Sequence, residues 1–220
     1  MTILLLAGWL ATGHAFGQDT QDTTNGCGSL KENYGPYDYR TERFGKLKVV
    51  ENHHFTPQVE ALVKGQSSYL GDDLGFVLKA SPNHHRALLS IMRYGEKAKS
   101  PQPPHLQYSI DCYFDRAIRF QPDDTVVRSL YAQYLIKTGR PNEAIPQLEV
   151  ADSYAADNSL SHYNIGLIYF ELKDYDRALD QEHKARRLGL ARSGLADALV
   201  RVNRWREPSS QAPSAASGVK

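Results

Sequence analysis

The chain is poor in the residues that small folds use as shortcuts. Two cysteines in 220 residues exclude a disulfide-rich mini-scaffold and are too few for a zinc finger or an iron–sulfur cluster. No CxxC, HExxH, GxSxG or phosphate-cradling glycine motif occurs, so the sequence offers no recognised metal, nucleotide or nucleophile framework. An excess of one charge is also lacking. Lys+Arg 26 against Asp+Glu 25 leaves +1, which makes no basic field to gather phosphates, and nucleic acid is not an expected partner. Long apolar runs are absent too. The one such stretch, Ile3 to Ala11, is shorter than the roughly 20 residues that span a bilayer. With a mean hydropathy of −0.51, the chain reads as globular, without membrane insertion, cofactor or catalytic machinery.

What is present begins with the ends. MTILLLAGWLATGHAFGQDT has an apolar run followed by small residues, the pattern of a secretory leader over residues 1–17 with cleavage after Ala15 or Gly17. No Lys or Arg precedes the run, and the alternative is an N-terminal core strand or helix. Export to the periplasm or the medium is the expectation. In that setting Cys27 and Cys112 meet an oxidising compartment and form one intramolecular bridge; two free thiols are the alternative. Residues 18–58 read as an extended or irregular arm. Within it, Tyr34 to Arg40 (YGPYDYR) sets three tyrosines around a Gly-Pro turn, and the arm is expected to lay those rings on the body of the protein. The end, EPSSQAPSAASGVK over 207–220, has no apolar face and reads as a disordered tail.

The middle of the chain repeats. A shift of 34 residues carries Tyr131 onto Ile165, Ala132 onto Gly166, Leu135 onto Tyr169, Ala144 onto Ala178 and Ala151 onto Ala185. Apolar residues recur at spacings of three and four, and small residues hold matching places in each half, as two antiparallel helices in close contact require. Asp124 and Asn158 are expected to cap the first helices, and Pro141 starts a second helix, where its missing N–H is harmless. Pro82 and Pro122 lie 40 apart, which is the same period plus a six-residue loop around SPQPPH.

Gly166, Tyr169, Tyr175, Ala178 and Ala185 stand at the signature spacing of the tetratricopeptide family, which this stretch resembles. His162, Glu182 and Leu190 depart from the family's Trp, second-helix aromatic and closing Pro. The resemblance implies an all-α solenoid of antiparallel helix pairs over 59–206. Its repeats lie at about 85–124, 125–158 and 159–192, after a half-repeat closed by Pro82, with a capping helix at 194–205. It also implies a groove lined by the first helix of each pair that takes a partner protein or peptide, as an adaptor or assembly factor. Arg93, Gln133, Lys137, Tyr163, Leu167 and Phe170 are the predicted groove residues; the stripe Tyr163, Leu167 and Phe170 is alternatively buried against the capping helix or the arm. The family's carboxylate-gripping subtype uses Lys, Asn and Arg, whereas the matching places here hold Leu89, Arg93, Leu130, Leu160 and Asn164. That clamp is not expected. A second function class is a small-ligand or metal-binding protein using His53/His54 and His84/His85. Adjacent side chains point apart, so such a site would need folding to bring one ring of each pair together. Helix-start hydrogen bonding is the plainer role for these histidines.

Overall fold

The computed structural model describes residues 26–208; the leader expected over 1–17 and nearly all of the tail expected over 207–220 lie outside them. Among the described residues every regular element is a helix, and none is long and apolar enough to cross a membrane. The order is α1 (Tyr39–Glu42), α2 (Leu47–His54), α3 (Pro57–Glu60), α4 (Leu70–Ala80), α5 (His85–Ala98), α6 (Ile110–Phe120), α7 (Thr125–Lys137), α8 (Pro141–Ala155), α9 (Ser159–Glu171), α10 (Tyr175–Arg187) and α11 (Gly194–Arg201). The helices stack as antiparallel pairs, α5/α6, α7/α8 and α9/α10. Helix α4 precedes them as a second helix packed against α2 and α5, and α11 packs across α9 and α10 as the cap. The fold is a tetratricopeptide-like helical solenoid.

Local chemistry sets the element boundaries. The carboxylate of Asp124 accepts from the Val126 and Val127 amides, and the side chain of Asn158 accepts from Ser161. Each thereby satisfies backbone donors that the first turn leaves over. Pro141 opens α8. The small residues do what the repeat pattern requires: Ala132, Ala144, Ala151, Ala178 and Ala185 are all fully buried, letting paired backbones approach. Two apolar clusters result. One runs from Tyr39 to Tyr134 and the other from Ala132 to Leu199, with Tyr131 packed against both.

The N-terminal segment differs from an extended arm. It contains α2, whose Leu47 and Val50 are buried against the body while Lys48 and Val49 face solvent. Lys46 gives this helix no side-chain cap, so its signal is a single apolar pair, and burial rather than propensity forms it. The rest of the arm clasps the second helices. Cys27 is bonded to Cys112 on α6, with S–S 2.02 Å. The buried guanidinium of Arg116 donates to the carbonyls of Cys27 (3.2 Å) and Ser29 (2.6 Å), and Arg119 donates to Gly28 O (3.0 Å). Further on, Tyr37 N donates to Ala80 O (2.8 Å), and Tyr39 is buried with its ring 4.2 Å from His84 and 5.0 Å from His85. Tyr34 stays 42% exposed. These contacts lie along α6 and the turns before α5 and α7, away from the first-helix face of the later repeats.

Candidate functional site

The first helices begin at caps His84, Asp124 and Asn158, so residues 40 and then 34 apart occupy equivalent places. Arg93, Gln133 and Leu167 form one such row. Val126 and Leu160 share another, and Leu130 and Asn164 a third. The structure brings Gln133 and Leu167 into one hollow of about 210 Å³ between α7 and α9, together with Val126, Leu130 and Asn164. The Thr125 and Ser161 hydroxyls are 3.1 Å apart across the two helices and join them at one end of it. No charged side chain lines this hollow among the described residues. Val126, Leu160 and Leu167 are 37%, 44% and 39% exposed, so apolar surface is open to solvent along α7 and α9. Arg93 stands exposed on α5. The hollow can accept apolar side chains of a bound segment and hydrogen-bond its backbone through Gln133 and Asn164.

Three predicted groove residues lie elsewhere. Tyr163 is 8% exposed. It packs in the cluster with Leu195 and Leu199 of the cap, and the Arg192 guanidinium lies 5.7 Å above its ring. The alternative of burial against the capping helix is therefore the right one for Tyr163. Phe170 is half-buried, with its ring 5.3 Å from Tyr175 of the paired helix. Lys137 reaches back to α5 and pairs with Glu96 at 2.6 Å, at the rim of a different cavity. Only Leu167 of the apolar stripe faces the hollow, because α9 is apolar on all sides and each side finds its own neighbour. Helix phase alone does not single out Val126 of this hollow. The 34-residue shift onto Leu160 is the signal that finds it.

The histidine pairs are drawn apart. His54 Nδ1 lies 2.8 Å from Asp73, His84 Nε2 2.9 Å from Glu51, and His85 Nε2 2.8 Å from Asp124. His84 also caps α5, its Nδ1 accepting from Ala87 N–H (3.1 Å). That bond puts the ring proton on Nε2, where it is donated to Glu51. Burial pushes the His84 imidazole below its ordinary value, and the hydrogen bond from His84 holds Glu51 below the usual carboxylate range. The Asn83 amide bridges Asp38 of the arm (2.7 Å) and Asp124 (2.9 Å), and its carbonyl oxygen accepts from Tyr39 N (3.0 Å). Burial would raise Asp38, but the donors Arg40 and Asn83 outweigh it and bring it to about 2. Among the described residues no three His, Cys, Asp or Glu side chains converge as a metal site would need. These rings carry the joint between arm and stack.

Comparison with known proteins gives a partial answer. No protein-family model matches the chain. Curated relatives do. The chain is 27% identical over 141 residues to DnaJ homolog subfamily C member 3 of Rattus norvegicus, covering 56% of this chain and 28% of that protein. Against the Gallus gallus protein of the same name it is 28% identical over 160 residues, 62% of this chain and 32% of that one. The Mus musculus protein is 31% identical over 81 residues, 33% and 16% of the two chains. The chain thus spans under a third of the length of these relatives. No solved structure matches. The stacked helix pairs describe a helical repeat module, and the likeness to these relatives overlaps its repeats.

Proposed function

We propose that the protein is a non-catalytic adaptor or assembly factor that holds an apolar segment of a partner protein against the α7/α9 face, and that it works after export, in the cell envelope or outside the cell. The observation that carries this reading is the uncharged hollow lined by Val126 and Leu167 beside Gln133 and Asn164, with Leu160 of α9 also exposed. Covering three such side chains, each already more than half buried, contributes on the order of 1 kcal/mol apiece. That suits a reversible contact. The similarity to proteins named as DnaJ homologues supports a role beside other proteins, and export rests on the leader-like residues 1–17 together with the cysteine bridge.

A photo-crosslinking residue at position 126 or 167, introduced in the native host and read by mass spectrometry, tests the reading. Both positions should capture the same protein, and Lys48, exposed on α2, should not. Leu167→Glu in the Val126 crosslinking background should abolish that product. Equal products from positions 48 and 126, or an undiminished product in the Leu167→Glu background, would reject the groove. Fractionation of the same cells places the protein inside or outside the inner compartment.

A further inference from the structure

The first repeat is longer than its successors, and the extra residues build a cavity. Residues 99–109 connect α5 to α6, whereas 138–140 and 172–174 suffice for the later pairs. The long loop is pinned rather than slack. Lys99 takes a left-handed backbone (φ 51°), Ser100 N donates to Gly95 O (3.1 Å), and Ile110 N donates to Pro101 O (2.9 Å). Its first turn walls a space of about 470 Å³ between the ends of α5 and α7 and the start of α6. The volume falls within the roughly 300–1,000 Å³ of small-molecule sites. Met92, Ile110 and Tyr134, all buried residues, form an apolar floor.

The charges at the rim are unevenly paired. Glu96 pairs with Lys137 at 2.6 Å and Asp111 with Arg140 at 2.7 Å. Asp111 also accepts from the hydroxyls of Tyr131 (3.0 Å) and Tyr134 (3.4 Å). Both carboxylates are thereby used, and neither is left to attract a cation. Lys99 lines the same cavity and makes no ion pair among the described residues. Arg140 also lies 3.7 Å from Glu143, so the Lys99 ammonium is the cation at this rim left without a carboxylate, above an apolar floor.

We infer that this cavity binds a small apolar monocarboxylate, its hydrocarbon body resting on Met92, Ile110 and Tyr134 and its carboxylate held by Lys99. The site is separate from the α7/α9 hollow and does not depend on the adaptor role. 4-Phenylbutyrate is a suitable probe, with 4-phenylbutan-1-ol and 4-phenylbutylamine as neutral and cationic counterparts of the same body, each titrated calorimetrically into the intact protein. The acid should bind saturably and about tenfold more tightly than the alcohol, the order expected of one charge pair in a partly dry rim; the amine should bind least. Lys99→Gln should bring the acid down to the alcohol's affinity and leave the alcohol unchanged. Thr138→Trp, which places a ring at the rim from an exposed position, should abolish both. Amide shifts on adding the acid should concentrate in residues 92–111 and 134–140. Absence of saturable binding by the acid, equal binding of acid and amine, shifts centred elsewhere, or an unaltered acid affinity in a folded Lys99→Gln protein would each overturn the assignment.

Discussion

His84 has its two ring nitrogens in opposite roles: one accepts from the Ala87 amide and the other donates to Glu51. Protonation would direct a second N–H at an amide that already points there, and burial adds to the penalty. The folded state therefore binds this proton less well than the unfolded chain. The stability linked to it is complete above the ordinary histidine value of about 6.5 and declines as pH falls below that value toward the lowered one. Glu51, lowered by the same pair, acts in a separate window, retaining its contribution above the ordinary glutamate value of 4.5 and losing it in stronger acid. Urea midpoints should drop between pH 7 and pH 5. His84→Asn, a cap that does not titrate, should flatten that slope while lowering stability at pH 8. An identical slope in the variant would assign the pH dependence to other groups. Arg116 is a second residue whose effect follows from burial. Its guanidinium is sealed beneath the arm and serves two carbonyls and Glu32. Arg116→Met keeps much of the stem volume and orphans those acceptors, so we expect a loss of about 2–4 kcal/mol in chemical denaturation.

At the scale of single helices, α9 decides most. Its Gly166 meets α10 and the cap so closely that an added Cβ would lie 2.6 Å from Leu195 Cδ2, 3.0 Å from Gln181 Cβ and 3.3 Å from Ala178 O. Alanine in a helix interior would otherwise gain about 1 kcal/mol over glycine. Here the leucine terminus can move, but the Gln181 Cβ and Ala178 carbonyl cannot easily, and overpacking of this kind costs about 1–3 kcal/mol. Gly166→Ala should thus be destabilising by roughly 1 kcal/mol, seen as a lower melting temperature; a rise would mean that α10 yields. The opposite sides of α9 separate core from groove. Tyr163→Ala should cost about 2–4 kcal/mol because the ring supports the cap, whereas Leu167→Glu should change stability by less than about 0.5 kcal/mol and act on binding alone. Comparable losses from the two would remove Leu167 from the surface.

Across the whole molecule, contacts run between neighbours in the stack, and the arm is the exception. The disulfide joins residues 85 apart, and closing so long a loop stabilises by up to about 4–5 kcal/mol in the chain-entropy account. Because repeat stacks share stability locally, replacing Cys27 and Cys112 by serine should loosen one end rather than melt everything. Hydrogen exchange should quicken over residues 27–42 and in α6, while α9, α10 and α11 keep their protection. Uniform loss of protection would show the stack to be a single cooperative unit. The arm grips second helices and inter-repeat turns, so its release is expected to leave the α7/α9 hollow open as before.

The repeat period, the caps at Asp124 and Asn158, the helix start at Pro141 and the small residues at the pair contacts were all legible in the amino-acid order. Each rests on interactions within a few residues or on a spacing that recurs. The inserted loop could be counted from two prolines, though nothing in its letters said that it walls a cavity. Helix α2 is not legible in the sequence because two apolar residues in two turns carry little periodic signal, and the body it packs on is distant in sequence. The fates of Tyr163, Leu167 and Phe170 could not be told apart by phase. They share one stripe, and only the arrival of α11 on Tyr163 and of Tyr175 on Phe170 leaves Leu167 uncovered. Lys137 likewise has the right phase for the groove but is held by Glu96 of another helix. Local order determined which segments are helices and how they pair. The tertiary structure alone decided which of their faces stay open, since exposure depends on what long-range packing covers.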